Sequence, residues 1–174
     1  MTYWAERGKT FEAEATARGW DRAEEPALTD LLATLQFESV LDVGCGFGRV
    51  GQGLVEARPW LRYVGMDVSP DLVMAAQRRL PGREIVCADL VTWQDDRLFD
   101  LVLAVSVLSH IRPEAVEGVI GKLWQAARHD LVVLDWDNVG AETPYQWGHD
   151  FGSLFASELH CSKRLGALSL WHLR

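Results

Sequence analysis

Residues 40–51, VLDVGCGFGRVG, place three glycines two apart directly behind a short apolar run, and that order restricts the folds open to this chain. Val40, Leu41, Asp42 and Val43 read as a buried parallel strand with one acid near its carboxyl end. Gly44, Gly46 and Gly48 remove Cβ atoms where the backbone must turn sharply and approach something closely. From Arg49 to Arg58, the apolar Val50, Leu54, Val55 and Ala57 recur at mixed three- and four-residue spacings, as in a helix packed on a sheet. Strand, glycine loop and helix together suit a nucleotide; the plain alternative is a connecting turn with no ligand.

Further strands follow. Leu61–Met66 ends in Asp67, about twenty residues after the glycine loop, where doubly wound folds place a carboxylate for ribose hydroxyls. Ser69, Pro70 and Asp71 already supply a helix start, which leaves Asp67 spare for a ligand. Glu84–Cys87 reads as a third strand, followed by Asp89, which is either a turn residue before Val91 and Thr92 or a ligand group. Phe99–Val105 is a fourth and Asp130–Asp135 a fifth, with a helix over Pro113–Ala127 between them. Such alternation predicts an α/β fold: a doubly wound, mostly parallel sheet with helices on both faces.

GCGFG behind VLDV, together with Asp67, CADL and FDLV, resembles the class I S-adenosylmethionine (SAM)-dependent methyltransferases over about residues 38–137. A nicotinamide fingerprint needs GxGxxG, whose third glycine would fall on Arg49, and a Tyr-x-x-x-Lys pair is missing, so an NAD(P)-dependent oxidoreductase fits less well. The resemblance implies SAM as cofactor and S-adenosylhomocysteine (SAH) as product. It places Asp42, Gly44, Cys45, Gly46 and Gly48 at the glycine loop and Asp67 and Val68 at the ribose. Asp89 would accept from the adenine amino group beside Leu90, and Val105 would offer its carbonyl to the methionine amine. The implied strand order is 3-2-1-4-5-7-6. The tail, 159–174, must then supply a short C-terminal hairpin turning at Gly166 and Ala167, and its edge could be incomplete or covered by a second copy in a homodimer.

Methyl transfer asks mainly for alignment, exclusion of water and, for some acceptors, removal of a proton. The candidate catalytic residues are His110, past the fourth strand, and the pair His149 and Asp150, for which a helix cap at Asp150 is the alternative. His129, His160 and His172 read as structural, on an exposed helix end or near the tail. In the N-terminal segment, Tyr3, Trp4, Arg7 and Phe11 lie at helical spacings. They form an amphipathic helix and, by the resemblance, a lid in which Trp4 covers the sulfonium and Arg7 pairs with the methionine carboxylate. Trp136 and Trp147 flank the expected acceptor loop; Trp20, Trp60, Trp93, Trp124 and Trp171 read as packing.

With 174 residues, 48% of them hydrophobic, the chain is expected to form a single domain, a helical cap over 1–35 on a sheet core over 36–174. Three cysteines without metal-like spacing predict neither disulfide nor metal, and a net charge of −8 with scattered arginines argues against nucleic acid. A charged N-terminus and short apolar runs predict a cytoplasmic chain without a membrane span. The expected activity is SAM-dependent methyl transfer to O or N of a small-molecule acceptor. A SAM-binding regulatory protein or partner subunit without turnover is the alternative.

Overall fold

Alternating apolar runs and amphipathic segments produce one seven-stranded sheet in a computed structural model, which describes residues 3–18, 26–136, 144–156, 159–165 and 168–174. In chain order the elements are α1 (Tyr3–Ala17), α2 (Pro26–Thr34), β1 (Ser39–Val43), α3 (Arg49–Ala57), β2 (Arg62–Asp67), α4 (Pro70–Arg79) and β3 (Glu84–Cys87). They continue with β4 (Phe99–Val105), a 3-10 turn (Leu108–His110), α5 (Pro113–Ala126), β5 (Ala127–Trp136), α6 (Phe151–Leu154), β6 (Leu159–Leu165) and β7 (Leu168–Leu173).

The strand order is β3-β2-β1-β4-β5-β7-β6, with β1 to β5 parallel and the last two antiparallel to their neighbours. This is the expected order, and the short tail does complete the sheet. The expected turn at Gly166 and Ala167 lies outside the described residues, as do Trp20, Asp137 and residues 19–25.

Strand alternation sorts the core into two layers. On one face Val40, Leu101, Leu103, Val132, Leu134 and Leu170 meet Leu28 and Leu32 of α2, Val50 and Leu54 of α3, and Val73 and Ala76 of α4. On the other, Leu41, Val43, Val102, Ala104, Leu131 and Val133 meet Val116, Val119 and Leu123 of α5, with Phe151, Phe155 and Trp171 beyond. The two N-terminal helices take different places. Helix α2 joins the core, whereas α1 crosses α4 with Ala15 in a small cluster with Phe47, Leu72 and Ala75.

Two expectations need correction. Trp60 is not packed but 73% exposed, because the turn behind α3 delivers Leu61, not its neighbour, to the core. His129 lies on β5 rather than at a helix end. Among the described residues no helix is long and apolar enough to cross a membrane.

Candidate active site

All the loops leaving the carboxyl ends of β1, β2 and β4 open on one edge of the sheet, where doubly wound folds bind ligands. The glycine loop starts there. Gly44 takes a φ of +64°, and a Cβ on it would lie 2.5 Å from Val107 Cγ2, so only glycine fits. Gly46, at φ +56°, would meet nothing within 4 Å: its bare backbone faces open space. Gly48 (φ 81°) precedes α3 without a side-chain cap.

Asp67 closes this loop against β2. Its Oδ2 accepts from the Gly46 N–H at 2.9 Å and its Oδ1 from the Ser69 N–H at 2.9 Å. Ser69 caps α4 by accepting from Leu72 N, as expected, so Asp67 is not the cap. Burial raises the Asp67 carboxyl above its ordinary value, against the backbone N–H groups of Ser69, Gly46 and Val68, which pull it down. Each oxygen retains lone-pair capacity, the requirement for a carboxylate that also accepts ligand hydroxyls.

Beneath the loop lies a buried polar cluster that the residue pattern does not announce. Tyr63 on β2 donates its hydroxyl to Asp42 Oδ2 on β1 at 2.7 Å. Room for that ring comes from Gly51 in α3, where a Cβ would sit 2.5 Å from the Tyr63 hydroxyl. Desolvation pushes Asp42 up to about 7, with the Tyr63 hydrogen bond and Arg49 opposing and Asp67 adding to the rise. Cys45 is buried beside them, and burial raises its thiol well above the ordinary value, so an inert side chain fits that position. Asp42 and Cys45 thus shape the loop from below.

After β3, Asp89 Oδ1 accepts from Val91 N at 2.9 Å, closing a turn. Its other oxygen has no partner among the described residues. Val68 is half-buried and Leu90 buried at the same strand ends.

At the end of β4, Val105 leads into Ser106, the one non-glycine residue with positive φ (55°) among those described. That conformation costs a non-glycine residue energy and concentrates at functional turns. It sends the chain into the 3-10 turn, whose Leu108 and Ser109 N–H groups donate to Asp135 Oδ2 at 2.7 and 3.2 Å. Fully buried Asp135, at the end of β5, therefore holds the turn that carries His110. His110 Nδ1 lies 2.7 Å from the carbonyl of Tyr145, which only accepts. The proton consequently sits on Nδ1, and Nε2 keeps its lone pair.

His149 and Asp150 are placed differently from their expected substrate-side role. His149 is buried, its Nε2 3.1 Å from the Leu108 carbonyl and 3.0 Å from that of Ile111, a donor clamp on the 3-10 turn. Asp150 caps α6 by accepting from Ser153 N and Oγ, and that hydrogen bonding holds its carboxyl below the usual range.

Helix α1 roofs the cleft. Gly8 packs so closely on Ser69 that a Cβ would fall 2.0 Å from the serine Oγ. Toward its start, Tyr3 stacks on Tyr145 at 3.9 Å and Trp4 meets the His110 ring edge to face at 4.8 Å. Phe11 reaches Phe47 of the glycine loop at 6.1 Å. Arg7, expected on the ligand carboxylate, instead grips Glu14 through both terminal nitrogens at 2.8 and 2.5 Å, because its own helix supplies a carboxylate. Trp136 is 37% exposed, and Trp147 has Arg112 over its ring at 5.6 Å.

The cleft thus has a bare glycine loop, the buried Asp67 carboxyl, a spare oxygen on Asp89, the His110 imidazole and an aromatic roof. A methyltransferase domain family matches residues 41–130, just over half of the chain. The chain belongs to that family, with the fold of class I SAM-dependent methyltransferases. Among curated relatives, trans-aconitate 2-methyltransferase of Rhodopseudomonas palustris (strain BisB18) is 33% identical over 104 residues, covering 58% of this chain and 40% of that protein. The enzyme of the same name from Escherichia coli O7:K1 is 37% identical over 82 residues, 45% of this chain and 32% of that protein. The match therefore spans well under half of these relatives' length. Among solved structures, the DhpI–SAH complex superposes with a TM-score of 0.77 at 18% identity over 99% of this chain and 93% of that one. The N-methyltransferase NodS from Bradyrhizobium japonicum WM9 with SAH gives 0.68 at 17% identity over 82% and 80%.

Proposed function

We propose that this chain is a SAM-dependent methyltransferase acting on an oxygen or nitrogen of a small-molecule acceptor. The observation that carries the reading is Asp67, buried and tied by backbone N–H groups to the bare Gly46 turn, which fits a ribose held beside a close-packed backbone. Asp67 takes the ribose hydroxyls, with Val68 beside it. The free oxygen of Asp89 takes the adenine amine against Leu90. Gly44, Gly46 and Gly48 admit the amino-acid moiety, whose amine meets the carbonyl of Val105. Bound SAM supplies a methyl group on a sulfonium, activated for in-line displacement.

The protein's own work is alignment, exclusion of water and handling of one proton. Trp4 and Tyr3 close the cleft from α1, and His110 Nε2 receives the acceptor's proton while the Tyr145 carbonyl fixes the tautomer. Arg7 serves as a brace for α1, Asp42 and Cys45 support the loop, and His149 and Asp150 hold the 3-10 turn and α6. A small acceptor is supported by the names of the trans-aconitate relatives.

Calorimetric titration with SAM, SAH and NAD, followed by an acceptor screen with labelled SAM, tests the reading. Micromolar SAM and SAH binding, none of NAD, and label transfer to a carboxylate or amine acceptor are expected. NAD binding alone, or SAM binding with no transfer to any acceptor, would overturn it, the latter in favour of a regulatory SAM-binding protein.

A further inference from the structure

At the other end of the sheet, strand register assembles a second reactive cluster. Cys161 on β6 lies opposite His172 on β7, and His172 lies opposite Val132 on β5, two residues from Asp130. Residues two apart share a face, so Cys161, His172 and Asp130 project together from three adjacent strands. His172 Nε2 is 2.7 Å from Asp130 Oδ1, with both side chains almost fully buried, and the Cys161 sulfur is 3.9 Å from His172 Nδ1. A carboxylate only accepts, so Nε2 carries the ring proton and Nδ1 presents its lone pair to the thiol. Cys161 itself is exposed. This is the order of parts that activates a nucleophile: thiol, imidazole acceptor, orienting carboxylate.

An open groove of about 720 Å³ borders the cluster and is floored by Leu31 and Leu35 of the α2 end. Arg128 and Arg174 line it together with Asp130, whose Oδ1 is already taken by His172. On a chain of net charge −8, this groove carries two guanidinium groups, Arg128 paired with Asp100 at 2.7 Å and Arg174 lying 3.8 Å from Asp130 Oδ1. The groove lies apart from the active site: the Leu101–Asp130 register pair is four positions from Val105–Leu134, about 13 Å along the strands at ~3.3 Å per residue.

We propose that Cys161 is a thiol–disulfide exchange site for small disulfides bearing carboxylates. The Cys161 proton passes to His172 Nδ1, and the sulfur attacks one sulfur of the disulfide. The bond from Cys161 to that sulfur forms, the original S–S bond breaks, and the departing thiolate takes the proton back from His172. The products are a mixed disulfide on Cys161 and one free thiol: Cys161 is oxidised, half of the small disulfide is reduced, and the number of S–S bonds is unchanged.

Cys87, also exposed, provides an internal reference within the same chain. The unmodified protein is treated with the anionic disulfide 5,5′-dithiobis(2-nitrobenzoate) or the cationic cystamine, quenched at intervals, and mapped by peptide mass. Cys161 should outpace Cys87 by about tenfold or more with the anionic reagent, and by less with cystamine. His172→Gln should bring Cys161 down to the Cys87 rate. Arg174→Met, at a side chain 64% exposed and 3.8 Å from Asp130 Oδ1, should slow only the anionic reagent. Cys161 reacting no faster than Cys87 in the unmodified chain would overturn the site, and an Arg174→Met rate unchanged with the anionic reagent would overturn its preference for carboxylates.

Discussion

The Trp4 ring stands edge-on to the His110 imidazole, centroids 4.8 Å apart at 81°, and so joins the first turn of the chain to the loop leaving β4. Trp4 covers the imidazole from above while the Tyr145 carbonyl holds Nδ1 from the side. If His110 accepts the acceptor's proton, His110→Ala should lower kcat by about a hundredfold or more while SAM affinity stays within about twofold. Single-turnover rates beside calorimetric Kd values check this, and equal turnover would reduce His110 to a packing residue.

The seat of α1 on α4 is equally specific. Gly8→Val puts carbon into space held by Ser69 Oγ and Leu72, and overpacking of this kind costs about 1–3 kcal/mol. The cost should fall on the roof and not on the sheet. Expected results are faster proteolysis within residues 3–18 and weaker SAM binding, with the urea transition of the core nearly unchanged.

For Asp67, the expected loss is in binding. Asp67→Ala removes a charge-assisted acceptor and should weaken SAM by about 1.5–3 kcal/mol, roughly ten- to a hundredfold in Kd. An unchanged Kd in the folded variant would remove Asp67 from the site.

Asp135 positions rather than reacts. Asp135→Ala leaves the buried Leu108 and Ser109 N–H groups and the part-buried Trp136 N–H without their acceptor and should cost about 1.5–3 kcal/mol of stability. Turnover should fall with SAM affinity retained, and Asp135→Asn, which keeps an acceptor oxygen, should recover part of it. A Kd change as large as the kcat change would contradict a positioning role.

The Asp42 carboxyl, pushed by burial up to about 7, predicts a pH signature. A raised acid holds its proton more tightly in the folded chain than in the unfolded one. Its stabilising contribution is therefore complete below about pH 4 and is lost as the pH rises through 7. Asp42→Asn keeps an acceptor for Tyr63 but cannot ionise. The variant should gain on its parent between pH 4 and 7 by up to about 4 kcal/mol, at ~1.4 kcal/mol per pH unit. Urea midpoints at pH 4.5, 6 and 7.5 measure the difference, and parallel profiles would place the titration elsewhere.

Much of the glycine loop was legible because its requirements are local. A backbone that must turn through positive φ demands glycine at Gly44, and an acid at the end of an apolar strand, such as Asp67, stands out from its run. The partners that hold these groups were not legible. Tyr63 and Gly51 lie twelve residues apart, and only the crossing of β2 and α3 makes one the reason for the other. Asp135 looked like the end of an apolar strand, and the N–H groups it serves come from a turn 26 and 27 residues earlier. The partner of Arg7 was hidden for a related reason: seven residues on, Glu14 supplies a carboxylate from the same helix.

The sequence by itself determined the order of strands and helices, the parallel sheet and the glycine loop, since apolar periodicity and allowed dihedrals act over a few residues. Tertiary structure alone decided which polar side chains are free and which are spent. Of the candidates past β4, His110 keeps a ring nitrogen with no partner among the described residues, while His149 is clamped to two carbonyls and Asp150 to a helix end. Hydrogen-bond partners in a closed sheet come from distant segments, and each buried donor or acceptor must find one, so the role of a titratable residue is settled only when the chain has packed.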